Sequence, residues 1–443
     1  MASVANGIAI ASDRSGSGKT TVASILAYAL SKMGVKVRAF KVGPDYIDPG
    51  HLALASGNPA VNLDLWLMGV DGVRESFCRY SRGFDISIVE GVMGIYDGEE
   101  VGSSTYGVVK ALNLPVVLVV DCSKMSYTAG AIVKGVMEYG NVDVRGVVFN
   151  MVSGENHHKA CASSLPKGVV DIGYIPADRN LRIEERHLGL LTIEDARERA
   201  LNMLKRGLEL VNEGYIDVDK FRQLAKPIEC QYGGQQGGYG ALGTAAVAYD
   251  SAFSFYYTQT IDMLKDMFKV VYFSPLNDEY VGGADLIYIG GGYPELHLKE
   301  LEEAQNTRHW LLKSIGSGSI ILAECGGLMY LSRYVRDDRE YRMVGAFDVG
   351  IVARGRLTIG YTELEALSDS PIVEKGRKAR GHEFHISYAE YLNERPVFRN
   401  IKGRGILNGY DGVMHNNALA TYSHLYLPGI RGIYERFRAI LRR

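Results

Sequence analysis

Gly7-Ile8-Ala9-Ile10-Ala11-Ser12-Asp13-Arg14-Ser15-Gly16-Ser17-Gly18-Lys19-Thr20-Thr21 is the stretch whose reading decides the fold of the first half of the chain. An apolar run ends in a Gly-rich turn. Val22, Ile25, Leu26, Ala29, Leu30 and Met33 then recur at helical spacing. Strand, glycine turn and helix in that order form a cradle for phosphate. Backbone N–H groups close around the anion, the helix start adds partial positive charge, and Lys19 reaches the β and γ phosphates. The hydroxyl of Thr20 is placed for Mg²⁺. Ser15, Gly16, Ser17, Gly18, Lys19, Thr20 and Thr21 are therefore the expected phosphate ligands. Asp13 stands where the G-x-x-x-x-G-K-[ST] pattern has its first glycine. A Gly-rich turn in a Rossmann-like sheet is the plainer alternative.

Working outward, apolar runs at Val35–Phe40, Ile86–Val89, Val116–Val120 and Val144–Phe149 alternate with helical patterns. That alternation predicts a mostly parallel sheet covered by helices on both faces. Residues 181–225 are charged and helical in pattern, and Gln231–Tyr239 crowds Gly and Gln without periodicity. A second α/β series follows at Ala245–Tyr249, Lys269–Phe273, Leu286–Ile289 and Ile320–Ala323. The expectation is two α/β domains, each a mostly parallel sheet with helices on both faces: a P-loop domain at 1–225, a linker at 226–243, and a second domain at 244–443.

At 443 residues, two separate cores are affordable. A formal net charge of −2 provides no long-range pull toward nucleic acid or anionic membrane. No apolar run approaches the roughly 20 residues that span a bilayer, and no signal peptide is evident at the N-terminus. Cys78, Cys122, Cys161, Cys230 and Cys325 are scattered and odd in number. This pattern argues against a disulfide framework or a zinc site, and a reducing cytoplasm fits it best.

Three further clusters fall at expected strand ends, where open parallel sheets bind ligands. Lys41-Val42-Gly43-Pro44-Asp45-Tyr46-Ile47-Asp48-Pro49 sets two carboxylates three apart between prolines, with a lysine upstream. A capped surface turn would need neither Lys41 nor both aspartates. Asp45, Tyr46 and Asp48 suit the handling of cations and phosphate, and Lys41 that of the phosphates. In Val89-Glu90-Gly91-Val92-Met93-Gly94-Ile95-Tyr96-Asp97, Glu90 closes a strand, and Glu90 and Asp97 join Thr20 as Mg²⁺ candidates. Asn150 ends a later strand, where its amide offers an adenine edge one donor and one acceptor, although an Asn there also suits a turn.

In the second half, Ile320-Ile321-Leu322-Ala323-Glu324-Cys325-Gly326-Gly327 runs a strand into a cysteine between small residues. A nucleophile on a sharp strand-to-helix turn needs such neighbours, and a helix start beyond it favours the thiolate. Gly290-Gly291-Gly292 ends another strand; Gly291 and Gly326 are the expected oxyanion donors. His424, in Thr421-Tyr422-Ser423-His424, suits the general base. Arg380-Gly381-His382-Glu383-Phe384-His385 pairs histidines around a glutamate, but not at the spacing of a metal site on one helix face.

The N-terminal clusters resemble the P-loop ligases related to dethiobiotin synthetase, and the second half resembles class I glutamine amidotransferase domains. Their order, with K-V-G-P-D-Y-I-D-P at 41–49, V-E-G-V-M-G-I-Y-D-G at 89–98, R-H-L-G-L at 186–190, F-S-P-L at 273–276 and G-H-E-F-H at 381–385, resembles the cobyrinate a,c-diamide synthase family. The resemblance implies ATP- and glutamine-dependent amidation of the a and c carboxylates of a tetrapyrrole through acyl phosphates, with Asp45, Tyr46 and Asp48 in the acceptor and acyl-phosphate region, and with Mg²⁺ and ammonia passing inside the protein. It implies small-molecule substrates, neither nucleic acid nor membrane as partner, and leaves room for a homodimer. Ordinary amidotransferases of this class carry a glutamate two residues after the histidine; Tyr426 stands there, which leaves the third triad member unassigned. Two alternatives stay open. One is amidation of Ni-sirohydrochlorin in coenzyme F430 biosynthesis. The other is a ParA/MinD-like regulatory ATPase with an inactive glutaminase, against which Arg14 stands where such proteins place a lysine.

Overall fold

The computed structural model describes residues 3–99, 103–181, 183, 185–186, 189–190, 193–230 and 241–441. These form two compact units, residues 1–234 and 235–443. The Gly/Gln stretch 231–239 and residues 187 and 188 of the 186–190 motif lie outside the described residues.

In the first unit, seven strands lie side by side: β1 (Ser3–Ser12), β2 (Val37–Val42), β3 (Val61–Leu63), β4 (Ile86–Glu90), β5 (Val116–Asp121), β6 (Val144–Val152) and β7 (Val170–Pro176). Their order is β3-β2-β4-β1-β5-β6-β7, and the pairs along this path are parallel. Alternation along β1 sorts the core. Ile8 and Ile10 face one apolar layer with Val22, Ile25, Leu26, Ala29 and Leu30 of helix α1 (Lys19–Lys32). Ala9 and Ala11 face the other, with Phe40, Phe77 and Val89. Burying both faces is why these strands read as nearly unbroken apolar runs. Met33 departs from the expectation: it caps α1 and is 53% exposed.

Two features correct the sequence reading. Residues Lys226–Cys230, taken there as the start of the linker, form a strand antiparallel to β1. Its last residue, Cys230, is bonded to Cys78 in a disulfide with Cα atoms 5.5 Å apart. Their sequence separation of 152 hides the pairing from any spacing rule. Closing so long a loop restricts the unfolded chain, so Cys78→Ser should cost about 2–5 kcal/mol. Unfolding curves of wild type and variant, with and without reductant, measure it. Reductant should destabilise wild type alone; equal behaviour of both proteins would show that the bond contributes nothing.

The second unit centres on a six-stranded sheet in the order Lys269–Phe273, Thr244–Ala248, Leu286–Ile289, Ile320–Glu324, Ala418–Thr421, Val413–His415. All pairs are parallel except the last. Ala246 and Ala248 enter one core and Ala245 and Val247 the other, the same division as in the first unit. Between 334 and 425 the chain adds smaller, largely antiparallel sheets. In one of these, Lys378–His385 pairs with His424–Leu425, which brings the G-H-E-F-H motif beside the expected base. No helix among the described residues is long and apolar enough to cross a membrane.

Candidate active sites

In the first unit, β1, β2 and β4 deliver their C-terminal ends to one place, the end of an open parallel sheet where ligands bind. Gly18 has φ +88°, and a Cβ there would meet the Asn150 amide at 2.2 Å, so glycine is required by both backbone and space. Asn150 donates to the Ser17 carbonyl (2.9 Å) and accepts from the Met151 N–H (2.9 Å). Its amide is therefore engaged with the phosphate loop. Asp13, in place of the first glycine, accepts from Ser17 Oγ at 3.3 Å and pairs with Arg14 at 2.5 Å. Arg14 also reaches Asp121 at 3.1 Å. The side chain at 13 thus braces the turn. Ser15 and Gly16 are exposed at its tip, and Thr21 is buried behind it, its hydroxyl 3.4 Å from the Leu181 carbonyl.

Behind the loop lies a buried charge cluster. Lys41 Nζ contacts Asp48 (2.5 Å), Glu90 Oε1 (2.9 Å) and the Gly91 carbonyl (3.1 Å). Thr20 Oγ1 donates to the same Glu90 oxygen at 2.6 Å. Burial alone would discharge Lys41, but Asp48 and Glu90 overcome it and hold the ammonium. Burial opposes ionisation of Asp48 too, and Lys41 brings it below the usual carboxylate range. Asp45 is pushed up to about 7 by burial and by Asp48, while its Oδ1 accepts from the N–H groups of Ile47 and Asp48. Tyr46, between them, is half-buried. Lys19 donates to Ser12 Oγ at 2.8 Å and is lowered to about 8, chiefly by burial and then by Lys41. A phosphate would supply the anion Lys19 lacks.

Whether the cluster suits Mg²⁺ can be tested on its oxygens. Glu90 Oε2 is buried without a hydrogen-bond partner, next to the Thr20 hydroxyl. Asp97 lies against the loop: a Cβ on Gly94 would meet Asp97 Oδ2 at 2.4 Å and the Asp13 carbonyl at 2.5 Å. Among the described residues no group of three or more His, Cys, Asp or Glu could hold a metal alone. A sparse set of hard oxygens completed by nucleotide phosphates is how Mg²⁺ is ordinarily bound, so the residues fit it.

In the second unit, strand Ile320–Glu324 ends at Cys325, held at φ 49° and ψ −99°. A non-glycine residue in that region is strained, as expected of a nucleophile on a tight turn. Its N–H donates to the Thr421 carbonyl at 2.7 Å, and its Sγ lies 3.9 Å from the Phe384 carbonyl. His424 follows three residues after Thr421, fully buried, its ring stacked on His382 with centroids 4.9 Å apart. Gly291 packs against that ring: a Cβ there would meet His424 Cε1 at 2.3 Å. The structure therefore gathers Cys325, Gly326, Gly291 and His424 around one strand end, with the 381–385 motif beside them.

The expected thiolate is not favoured. Burial pushes the Cys325 thiol up, Glu295 adds to this, and the Gly326 N–H at the helix start offsets only part. Burial also holds His424 well below its ordinary value and His382 down to about 3. The pair rests as thiol and neutral imidazole, a state in which the histidine can accept a proton.

Two positioning carboxyls escaped the sequence reading. Asp411, fully buried, accepts from the N–H groups of Tyr422 (2.9 Å) and Ser423 (3.0 Å) and from Ser423 Oγ (2.7 Å), fixing the turn into His424. Glu324, adjacent to the nucleophile, accepts from Tyr288 Oη (3.0 Å) and from the N–H of Leu425 (3.2 Å), the residue after His424. The only sequence signal was a glutamate closing an otherwise apolar strand. Burial raises Glu324 from 4.5 to about 8. Between those values the unfolded chain binds fewer protons than the folded one, so this group's contribution to stability falls as pH rises through the window. Glu324→Gln, whose Oε1 still accepts from the Leu425 N–H while its amide N–H can donate to Tyr288 Oη, should flatten that fall. Melting curves from about pH 5 to 8 check it; parallel pH dependence of wild type and variant would contradict a buried acid.

Comparison with known proteins fits both geometries. Residues 8–191 match the CobQ/CobB/MinD/ParA nucleotide binding domain, and residues 244–429 the CobB/CobQ-like glutamine amidotransferase domain. The protein is a glutamine-dependent, amide-forming ligase with a nucleotide-binding P-loop unit. A cobyrinate a,c-diamide synthase of Saccharolobus solfataricus is 48% identical over 430 residues, covering 96% of this chain and 98% of that protein. Those of Sulfurisphaera tokodaii (48%; 96% and 98% covered) and Methanocaldococcus jannaschii (38%; 94% and 95% covered) align similarly. The chain belongs to the cobyrinate a,c-diamide synthase family.

Proposed function

We propose that this protein converts the a and c carboxylates of cobyrinate to carboxamides in corrinoid biosynthesis, taking nitrogen from glutamine and driving force from ATP. The observation that carries the ligase half is the buried Lys41–Asp48–Glu90–Thr20 cluster directly behind the phosphate loop. A free carboxylate resists attack by ammonia because oxide is a poor leaving group. Transfer of the γ-phosphoryl group to the carboxylate oxygen makes an acyl phosphate, and ammonia then displaces phosphate to leave the amide. Lys19 and Lys41 stabilise charge on the phosphoryl oxygens during transfer. Thr20, Glu90 and Asp97 would hold Mg²⁺, which would supply neutralisation of the phosphate charge. Tyr46, Asp45 and Asp48 lie on the segment assigned to the acceptor carboxylate.

In the amidotransferase unit, His424 takes the thiol proton as Cys325 attacks the glutamine amide. The N–H groups of Gly291 and Gly326 receive the oxyanion. The proton goes to the leaving nitrogen, and water hydrolyses the thioester to glutamate.

Asp48→Asn removes a charge in contact with Lys41 and should cut amide formation about 10²-fold while glutamine hydrolysis persists. Equal loss of both activities would assign Asp48 to folding alone. Carboxylate-¹⁸O cobyrinate tests the intermediate. Label should appear in inorganic phosphate, and unlabelled phosphate would exclude an acyl phosphate. Parallel incubations with Ni-sirohydrochlorin decide the acceptor: amidation of that macrocycle and not of cobyrinate would overturn the assignment.

A further inference from the structure

We infer that Glu295 is the anionic subsite that receives the α-ammonium group of glutamine. This rests on the glutaminase reading above and deepens it. After strand Leu286–Ile289 the chain passes through Gly291, against the His424 ring, and Gly292 to the short 3₁₀ turn Pro294–Leu296. A Cβ on Gly326, the residue after the nucleophile, would meet Pro294 Cδ at 3.0 Å and the Gly292 nitrogen at 3.3 Å. The segment that ends at Glu295 therefore packs against the His424 ring and against the residue that follows the nucleophile. Tyr293 packs edge-on against Phe255 (5.2 Å between centroids), and Phe255 lies 6.4 Å from the His424 ring. Of the carboxyl groups acting on the Cys325 thiol, Glu295 acts most strongly, and it acts on Tyr422 as well.

The Glu295 side chain nevertheless has no ion-pair partner among the described residues. Arg354 acts on it from a distance, but that guanidinium is held by Asp337 at 2.9 Å, and Asp337 opposes the effect. Burial pushes Glu295 up to about 7. A half-buried carboxyl next to a nucleophile, with no cation of its own, is costly unless a ligand supplies one. Glutamine does so. With its amide carbon at the sulfur, its ammonium sits about 5 Å further out, three carbon–carbon bonds and one carbon–nitrogen bond away. The ammonium would also cancel the negative charge that helps keep the thiol protonated, so that binding the right amide eases ionisation of Cys325.

Glutaramate carries the same terminal amide without the ammonium, which makes it the direct probe. Assayed with ATP, Mg²⁺ and tetrapyrrole present, wild type should prefer glutamine to glutaramate about 10²-fold in kcat/KM. Glu295→Gln should raise the KM for glutamine about 10- to 100-fold with a smaller change in kcat, leave glutaramate turnover near wild type, and so erase the preference. Glutamine should protect Cys325 from iodoacetamide in wild type and at the same concentration fail to do so in the variant. Melting temperature and ammonium-driven amide formation report that the variant is folded, and Glu295→Asp, which keeps the charge, should recover part of the preference. An unchanged glutamine KM and an intact preference in Glu295→Gln would overturn the subsite alone. Should wild type release no glutamate from glutamine at all, the glutaminase reading itself fails.

Discussion

Cys325→Ala should lose glutamine-driven amide formation by about 10⁴-fold or more, while ammonium salts at alkaline pH restore it. The size follows from the role. Removing a nucleophile deletes the covalent route, and what remains is only the weak effect of the oxyanion donors. The substitution is mild for the fold, because Cys325 Sγ makes one long contact to the Phe384 carbonyl and alanine tolerates the turn about as well as cysteine. Rescue by ammonium is expected because the phosphate loop and the Lys41 cluster belong to the other unit and need only the free amine. Mass analysis of the tetrapyrrole with each nitrogen source is the measurement. A folded variant that ammonium cannot rescue would show that the two chemistries are not separable.

Lys41→Met should be the most damaging single change in the ligase unit. Lys41 is 2% exposed and in contact with two carboxylates, Asp48 and Glu90. Deleting one member of a buried charge network leaves the others desolvated and uncompensated, a cost of about 3–5 kcal/mol. Burial already raises Glu90 and Lys41 opposes it, so without Lys41 the carboxyl that orients Thr20 would be raised further. Amide formation should fall about 10³-fold with either nitrogen source, in contrast to Cys325→Ala. Denaturant unfolding gives the stability term, and ammonium-driven turnover gives the catalytic one. A variant with wild-type stability would mean that the cluster is not the charge-balanced unit its distances describe.

Much of this was legible in the chain because period and spacing carry it. The runs at 86–89 and 116–120 are strands buried on both faces, which is why they read as mostly apolar runs. Lys19, Lys41 and Glu90 were recognisable because each ends or follows a strand, and parallel order sends those ends to one edge. Long-range pairings were not legible. Cys78 and Cys230 meet only because the strand at 226–230 returns along β1. Asp411 and Glu324 act through backbone N–H groups of residues brought near by the sheet, and no local pattern marks them. Asn150 was read as a ligand for the base, yet its amide spans to the Ser17 carbonyl, a contact set by the spacing of β1 and β6 rather than by its own neighbours. Between 334 and 425 several strands are short, and the longer ones at 358–366 and 378–385 mix polar and apolar residues, so their antiparallel sheets left no clear alternation.

Incubation of the protein with cobyrinate, ATP, Mg²⁺ and glutamine labelled with ¹⁵N at the amide nitrogen tests the central claim most directly. The expected product is a diamide carrying two heavy nitrogens, with ADP and phosphate formed alongside each amide. Recovery of unaltered cobyrinate while glutamine is hydrolysed, or of amides without the label, would contradict a thiol that supplies ammonia to a phosphate-activated acid.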